Sequence, residues 1–236
     1  MKNILITGCS RGIGFQTVKA LALHNDINVI AVSRDMSGLN TLKEECVKLN
    51  NKFKLHVLSL DLSLFESIDI IVDYIKNTLN SSLDGLIHNA GLLVKKPFTN
   101  ISRLELENSF RVNCFAPFLL TQSLIPFFNK NAHIISISSM GGIQGSQKFP
   151  GLSAYSTSKS TLITLTECLS EEFKIKDVSF NCLALGAVQT EMLAQAFPGY
   201  KAPLSAKKMA SFIFNFSIDG KEFFNGKVLP VSTTTP

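Results

Sequence analysis

Seven short runs rich in Val, Ile and Leu recur along this chain, each followed by a longer segment, and that alternation restricts the fold more than any other feature. The runs are NILIT, INVIAVS, KLHVLSL, LDGLIHN, AHIISIS, VSFNCLAL and a late GKVLPVS. Between them lie GFQTVKALALHN, SGLNTLKEECVKLN, SLFESIDIIVDYIKNTLN, the long ISRLELENSFRVNCFAPFLLTQSLIPFF, and a stretch with helical periodicity from Tyr155. Strands that read as continuous apolar runs are covered on both faces, which parallel strands with helical crossovers achieve. The expected architecture is α/β: a doubly wound parallel sheet of about seven strands with helices on both faces. No linker, repeat or low-complexity stretch interrupts it, so residues 1–236 are expected to form one domain. The most irregular segments, 140–153 and 186–205, both follow strands, and ligands bind at the carboxyl ends of strands in such sheets.

Composition excludes several classes. The chain is 45% apolar and 17% charged, as in an ordinary globular protein. Its net charge of +5 comes from scattered lysines, with no basic run that would form a nucleic-acid or membrane arm. Five cysteines (Cys9, Cys46, Cys114, Cys168, Cys182) are an odd number without a C-x-x-C pair, against both a disulfide framework and a metal site. A reducing, cytoplasmic setting is expected. The start MKNILITG lacks a secretory signal, and no segment approaches the roughly 18 apolar residues of a membrane span.

The first strand runs into LITGCSRGIGFQTVKAL, a strand, a glycine-rich turn and a helix. Gly8, Gly12 and Gly14, with Ser10, Arg11 and Ile13 among them, form a G-x-x-x-G-x-G cradle. Glycine lets the backbone approach a pyrophosphate, and the helix N-terminus offers free N–H groups and partial positive charge. At the end of the second strand, VIAVSRD places Ser33 and Arg34, which with Arg11 favour a 2′-phosphate through charge-assisted hydrogen bonds. NADP(H) is therefore the expected cofactor. Asp35, one step later, keeps NAD(H) open.

Chance alone supplies about a quarter of a Tyr-x-x-x-Lys pair in such a chain, so YSTSK (Tyr155, Lys159) needs companions before it carries weight. They are present in order: LDL, HNAG, VNCFAPF, ISISSMGG, YSTSK and LGAVQT. With TGCSRGIG, these motifs resemble the single-domain short-chain dehydrogenase/reductase family along nearly the whole chain. The resemblance implies a Rossmann-type sheet and a set of roles. Asp61 and Leu62 contact the adenine. Asn89, Ala90 and Gly91 stand for the family's Asn-Asn-Ala-Gly turn, and Gly186, Val188 and Thr190 belong to the cofactor-binding set. Tyr155 is the acid/base, Ser139 orients the carbonyl, Lys159 also holds the ribose, and Asn113 anchors a proton relay. The chemistry fits. A free tyrosine has a pKa of about 10, and a lysine one helical turn away on the same face lowers it. A serine hydroxyl steadies the charge developing on the carbonyl oxygen.

Four departures from the family pattern stand out. His88 replaces the first Asn of the turn, Leu185 stands where proline is usual before Gly186, and the segment from Ser139 to Tyr155 is about three residues long in excess. The C-terminal VSTTTP lacks the Asp-Gly-Gly often found there. Residues 187–205 are expected as a substrate lid. Substrate contacts are sought among Leu93, Met140, Gln144, Phe149, Met192 and Phe197, with core or lid packing the alternative for each. Their apolar character favours a small apolar carbonyl or alcohol substrate over a sugar phosphate. A homodimer or homotetramer through the fourth and fifth helices is implied by the resemblance. Two other functions compete with a reductase. A catalytically silent nucleotide sensor has no need of the four-residue set, and a sugar-nucleotide epimerase needs more chain than the about fifty residues after Gly186.

Overall fold

The structure is a computed structural model that describes residues 2–79 and 82–233. Strand β1 (Lys2–Thr7) leads to α1 (Gly12–Leu21), β2 (Ile27–Ser33) to α2 (Met36–Leu49), and β3 (Lys54–Ser59) to α3 (Glu66–Thr78). Then come β4 (Leu83–His88), α4 (Arg103–Phe110), α5 (Ala116–Leu124), β5 (Phe128–Ser139) and α6 (Ser153–Glu172). The chain continues through β6 (Ser179–Leu185), β7 (Val188–Gln189), α7 (Glu191–Ala196), β8 (Leu204–Ser205), α8 (Ala206–Asp219) and β9 (Lys227–Val231). Seven strands form one sheet in the order β3-β2-β1-β4-β5-β6-β9, every neighbouring pair parallel.

The apolar runs follow from this geometry. Successive strand residues point to opposite faces, and both faces are roofed by helices. Ile4 and Ile6 enter a core with Val18 and Leu21 of α1, Leu39 and Leu42 of α2, and Met209, Ile213 and Phe216 of α8. Leu5, between them, enters the opposite core with Ile71 and Ile75 of α3 and Leu120 and Leu124 of α5.

All seven expected strands are present, and β5 begins four residues early, at Phe128. The long fourth segment is not one helix. Between α4 and α5, Arg111–Phe115 widens into a π-turn in which Ala116 N–H reaches back five residues to the Arg111 carbonyl. Pro117 has no N–H to give the Asn113 carbonyl, so a regular helix cannot pass through unbroken. The helix carrying Tyr155 starts two residues earlier than its motif, at Ser153. Helix α8 was not expected, although Ser205 caps it and its buried Met209, Ala210, Ile213 and Phe216 follow helical spacing. The segment 186–205 is less irregular than expected, since it contains α7 and pairs β7 with β8. The expected end of the third helix at Asn80 and the tail 234–236 lie outside the described residues.

Candidate active site

The phosphate loop is built by contacts across the sheet. Gly8 (φ +73°) and Gly12 (φ +61°) take the left-handed conformation that carries the chain from β1 into α1. Gly14 has a different reason: a methyl group there would lie 2.3 Å from the Gly8 carbonyl oxygen and 2.4 Å from Asn89 Nδ2. Asn89 Nδ2 donates to the Thr7 and Gly8 carbonyls (2.9 Å each), while Asn89 and Ala90 N–H donate to Thr7 Oγ1 at 3.1 and 3.0 Å. No side chain caps the start of α1, so its first N–H groups face the cleft ready for an anion. That cradle fits a dinucleotide pyrophosphate.

At the end of β2, Ser33 Oγ bonds Ser10 Oγ (2.8 Å), and the Arg34 guanidinium lies 3.5 Å from the Asp61 carboxylate. Burial would raise the Asp61 carboxyl, but hydrogen bonds from Ser63 and the Arg34 charge bring it below the ordinary range. Asp35 turns toward its own helix and accepts from Gly38 N–H as the N-cap of α2.

Ser139 ends β5, and Tyr155 and Lys159 sit on one face of α6. Lys159 is 3% exposed and its Nζ donates to the Ile137 carbonyl at 2.7 Å. Burial pulls its ammonium down to about 8. Burial likewise pushes the Tyr155 phenol up to about 12, and a hydrogen bond with Ser139 opposes the rise. The expected lowering of Tyr155 by Lys159 is thus not what governs this arrangement. The ammonium is directed at a strand carbonyl, and desolvation outweighs the remaining influences.

Asn113 is wholly buried in the π-turn. Its Oδ1 accepts from Leu92 N–H (2.8 Å), while its Nδ2 donates to the Leu92 carbonyl (2.8 Å) and to Ser158 Oγ (2.9 Å). The side chain therefore pins the turn after β4, where a methyl on Gly91 would come within 3.3 Å of Lys159 Nζ. His88 links β4 to α5 through Thr121 Oγ1 (2.8 Å), and burial drives its pKa down to about 3, so it is neutral. Leu185 is buried in the core rather than in the cleft wall alone. Gly186 is dictated by the tail: a methyl there would overlap Ser232.

One cavity of about 820 Å³ gathers the expected residues from both ends of the chain. Gly8, Ser10, Arg11, Gly12, Ile13, Ser33, Arg34, Asp61, Leu62, Asn89, Ala90, Gly91, Ser139, Tyr155, Lys159, Gly186, Val188 and Thr190 all line it. Gly14 and Asn113 do not; they pack behind the wall. Of the substrate candidates, Leu93, Met140, Phe149, Met192 and Phe197 line the cavity and Gln144 does not. Sequence reasoning missed Leu152, Ser156, Leu193 and Tyr200, which also line it. The only signal for Tyr200 was its place just after the Pro-Gly turn.

A glycine cradle at a helix start and a Ser-Tyr-Lys set thus share one cleft of a parallel α/β sheet. The profile of the short chain dehydrogenase family matches residues 2–201, and the chain belongs to that family. It is 32% identical over 191 residues to a 3-amino-tetrahydro-pyrrolizinone reductase of Xenorhabdus hominickii, covering 80% of this chain and 62% of that protein. It is also 32% identical over 197 residues to the 3-oxoacyl-[acyl-carrier-protein] reductase FabG of Aquifex aeolicus, covering 82% and 76% respectively. Among solved structures, a short chain dehydrogenase of Shigella flexneri complexed with NADP superposes with a TM-score of 0.85 at 25% identity, over 97% of this chain and 96% of that one. A 3-ketoacyl-(acyl-carrier-protein) reductase of Brucella melitensis complexed with NADH has the same fold, with a TM-score of 0.85 at 22% identity over 98% and 96%. Among the described residues, no helix is long and apolar enough to cross a membrane, and no cluster of His, Cys, Asp or Glu could hold a metal.

Proposed function

We propose that this chain is an NADP(H)-dependent carbonyl reductase, moving hydride between the nicotinamide and a carbonyl or hydroxyl group of a small apolar substrate. The observation that carries the reading is the placement of Ser139, Tyr155 and Lys159 in the same cleft as the glycine cradle. When bound, the dinucleotide supplies the hydride. The protein supplies the rest. Ser139 donates a hydrogen bond to the substrate oxygen, and Tyr155 delivers the proton that this oxygen needs as charge builds on it. Lys159 holds the ribose and recharges Tyr155, and Asn113 keeps the turn at Leu92 in register with Lys159. Residues 1–236 act as one dinucleotide-binding domain, with 187–205 as its lid.

Support for NADP(H) comes from the end of β2. Ser33, Arg34 and Arg11 line the cavity there; Asp35 lines it too, but its carboxylate accepts from Gly38 N–H as a helix cap. NAD(H) remains the second cofactor to test. Leu93, Met140, Phe149 and Phe197 favour an apolar substrate body. Leu104, Leu106, Phe115 and Phe118 are each more than two-fifths exposed on α4, α5 and the turn between them, which supports a homodimer or homotetramer through that face.

The test is NADPH and NADH oxidation against a panel of carbonyl compounds, by the wild-type protein and Tyr155→Phe. NADPH-preferring turnover that falls by about 10²–10⁴ in the variant is expected from loss of the proton donor. Activity retained in Tyr155→Phe sinks the mechanism. Tight NADPH binding without turnover on any carbonyl favours the sensor.

A further inference from the structure

Residues 190–200, the middle of the segment proposed above as a lid, make few hydrogen bonds to the body, while Val188 and Leu204 at its flanks pack in the core. Among the described residues, the hydrogen bonds of residues 190–200 close almost entirely on the segment itself. Leu193 N–H donates to Thr190 Oγ1, Ala194 N–H to the Thr190 carbonyl, Phe197 N–H to Leu193 and Tyr200 N–H to Phe197. One bond leaves it. Lys95 Nζ, from the loop after β4, donates to the Ala196 carbonyl at 2.7 Å. The same ammonium lies 3.8 Å from the centroid of the Phe197 ring. Phe197 in turn meets Phe149 edge-on, with centroids 6.4 Å apart and an interplanar angle of 80°.

Chemistry favours this grip. Ala196 ends α7, where unpaired carbonyls attract a cation, and an aromatic face attracts one too. The base of the lysine is fixed independently. Lys96 N–H donates to the Gly151 carbonyl at 3.0 Å, and a methyl on Gly151 would lie 3.4 Å from Lys95 Cγ. Lys96 is also paired with Glu105. An anchored stem with its charged tip on the lid makes a tether. Lys95 itself does not line the cavity, whereas Phe149 and Phe197 do.

We infer that Lys95 is a positioning residue: by gripping Ala196 and Phe197 from outside, it holds the Phe197 ring against Phe149 over the substrate end of the cleft and so sets how tightly the site retains its substrate. This rests on the reading of residues 187–205 as the lid of a carbonyl reductase.

The experiment compares Lys95→Met, which keeps the apolar stem and loses the cation, with Lys95→Arg, which keeps a cationic donor. Two readouts are taken: hydrogen exchange of the 190–200 amides in the cofactor-free protein, and KM and kcat for a carbonyl substrate with NADPH. In Lys95→Met, exchange should speed up within 190–200 while the amides of β4, β5 and β6 keep their wild-type rates. KM should rise about five- to seventyfold, the range that an exposed cation–π contact and one hydrogen bond together supply, with NADPH affinity unchanged and kcat not lowered. Lys95→Arg should restore both readouts. Wild-type exchange in Lys95→Met overturns the tether even if no carbonyl is ever turned over, so this failure is separate from failure of the reductase reading. Faster exchange spread through the sheet, or equal defects in the Met and Arg variants, overturns it as well. Faster exchange confined to the lid with KM unchanged overturns the link to substrate retention.

Discussion

Replacing Lys159 by Met should stabilise the cofactor-free fold while removing the proposed activity. Lys159 is 3% exposed, and burial lowers its pKa from an ordinary 10.5 to about 8. A depression of that size means that the charged form destabilises the folded state by about 3 kcal/mol at pH 7, at 1.36 kcal/mol per pKa unit. Methionine removes that cost but leaves the Ile137 carbonyl, 2.7 Å from Nζ in the wild type, without its donor, which costs about 1 kcal/mol. The net gain is about 2 kcal/mol, or roughly 4–8 °C in Tm for a chain of this length. The sign is fixed by proton binding. Between about pH 8 and 10.5 the unfolded chain holds more protons at this lysine than the folded one, so this contribution makes the wild type gain stability as pH rises through that window. By pH 10 the remaining penalty is about 1 kcal/mol, and the advantage of Lys159→Met should vanish. Differential scanning calorimetry of both proteins without cofactor, at pH 7 and pH 10, measures this directly. A variant that melts at or below the wild type at pH 7, or an advantage of equal size at both pH values, refutes the reasoning.

Gly14→Ala should cost well over 1 kcal/mol and weaken dinucleotide binding, because the added methyl meets the backbone oxygen of Gly8 at 2.3 Å; a chemical-denaturation midpoint unchanged from wild type contradicts that. Arg34→Ala should raise the NADPH dissociation constant about tenfold or more and leave NADH within about twofold, read by fluorescence titration; equal losses for both dinucleotides exclude a 2′-phosphate contact. His88, depressed by burial from 6.5 to about 3, contributes stability that is full above about pH 6.5 and lost as pH falls toward 3. The acid limb of a Tm-against-pH curve should therefore be shallower in His88→Asn, and an unchanged slope counts against the burial argument.

The strands were legible because each carries apolar residues on both faces, a pattern no exposed element needs. The glycine turn, Ser139, Tyr155 and Lys159 were legible because they occupy fixed places relative to those strands and to one helix face. Other features depend on partners far away in sequence. Gly14 reads as the third glycine of the phosphate cradle, yet its neighbours are Gly8 and Asn89, so its constraint is close packing. Asn113 reads as a relay residue, and spacing alone does not show that its side chain also holds both backbone groups of Leu92. The lysine-to-tyrosine influence was inferred from spacing alone, and spacing says nothing of the Ile137 carbonyl toward which the ammonium turns. Helix α8 was not expected, and its signal in the sequence is the helical spacing of Met209, Ala210, Ile213 and Phe216 after the Ser205 cap.

The bonds between Thr7 and Asn89 also bear on synthesis. The turn that would receive the pyrophosphate is braced by a residue 82 positions further along, just past the end of a strand that pairs directly with β1. A nascent chain that has released only its first two βα units therefore has the glycines but not the brace. The cradle takes its final shape only after β4 has emerged and inserted beside β1. Dinucleotide thus cannot assist the earliest steps of folding on the ribosome, and its stabilising effect begins once the centre of the sheet has closed.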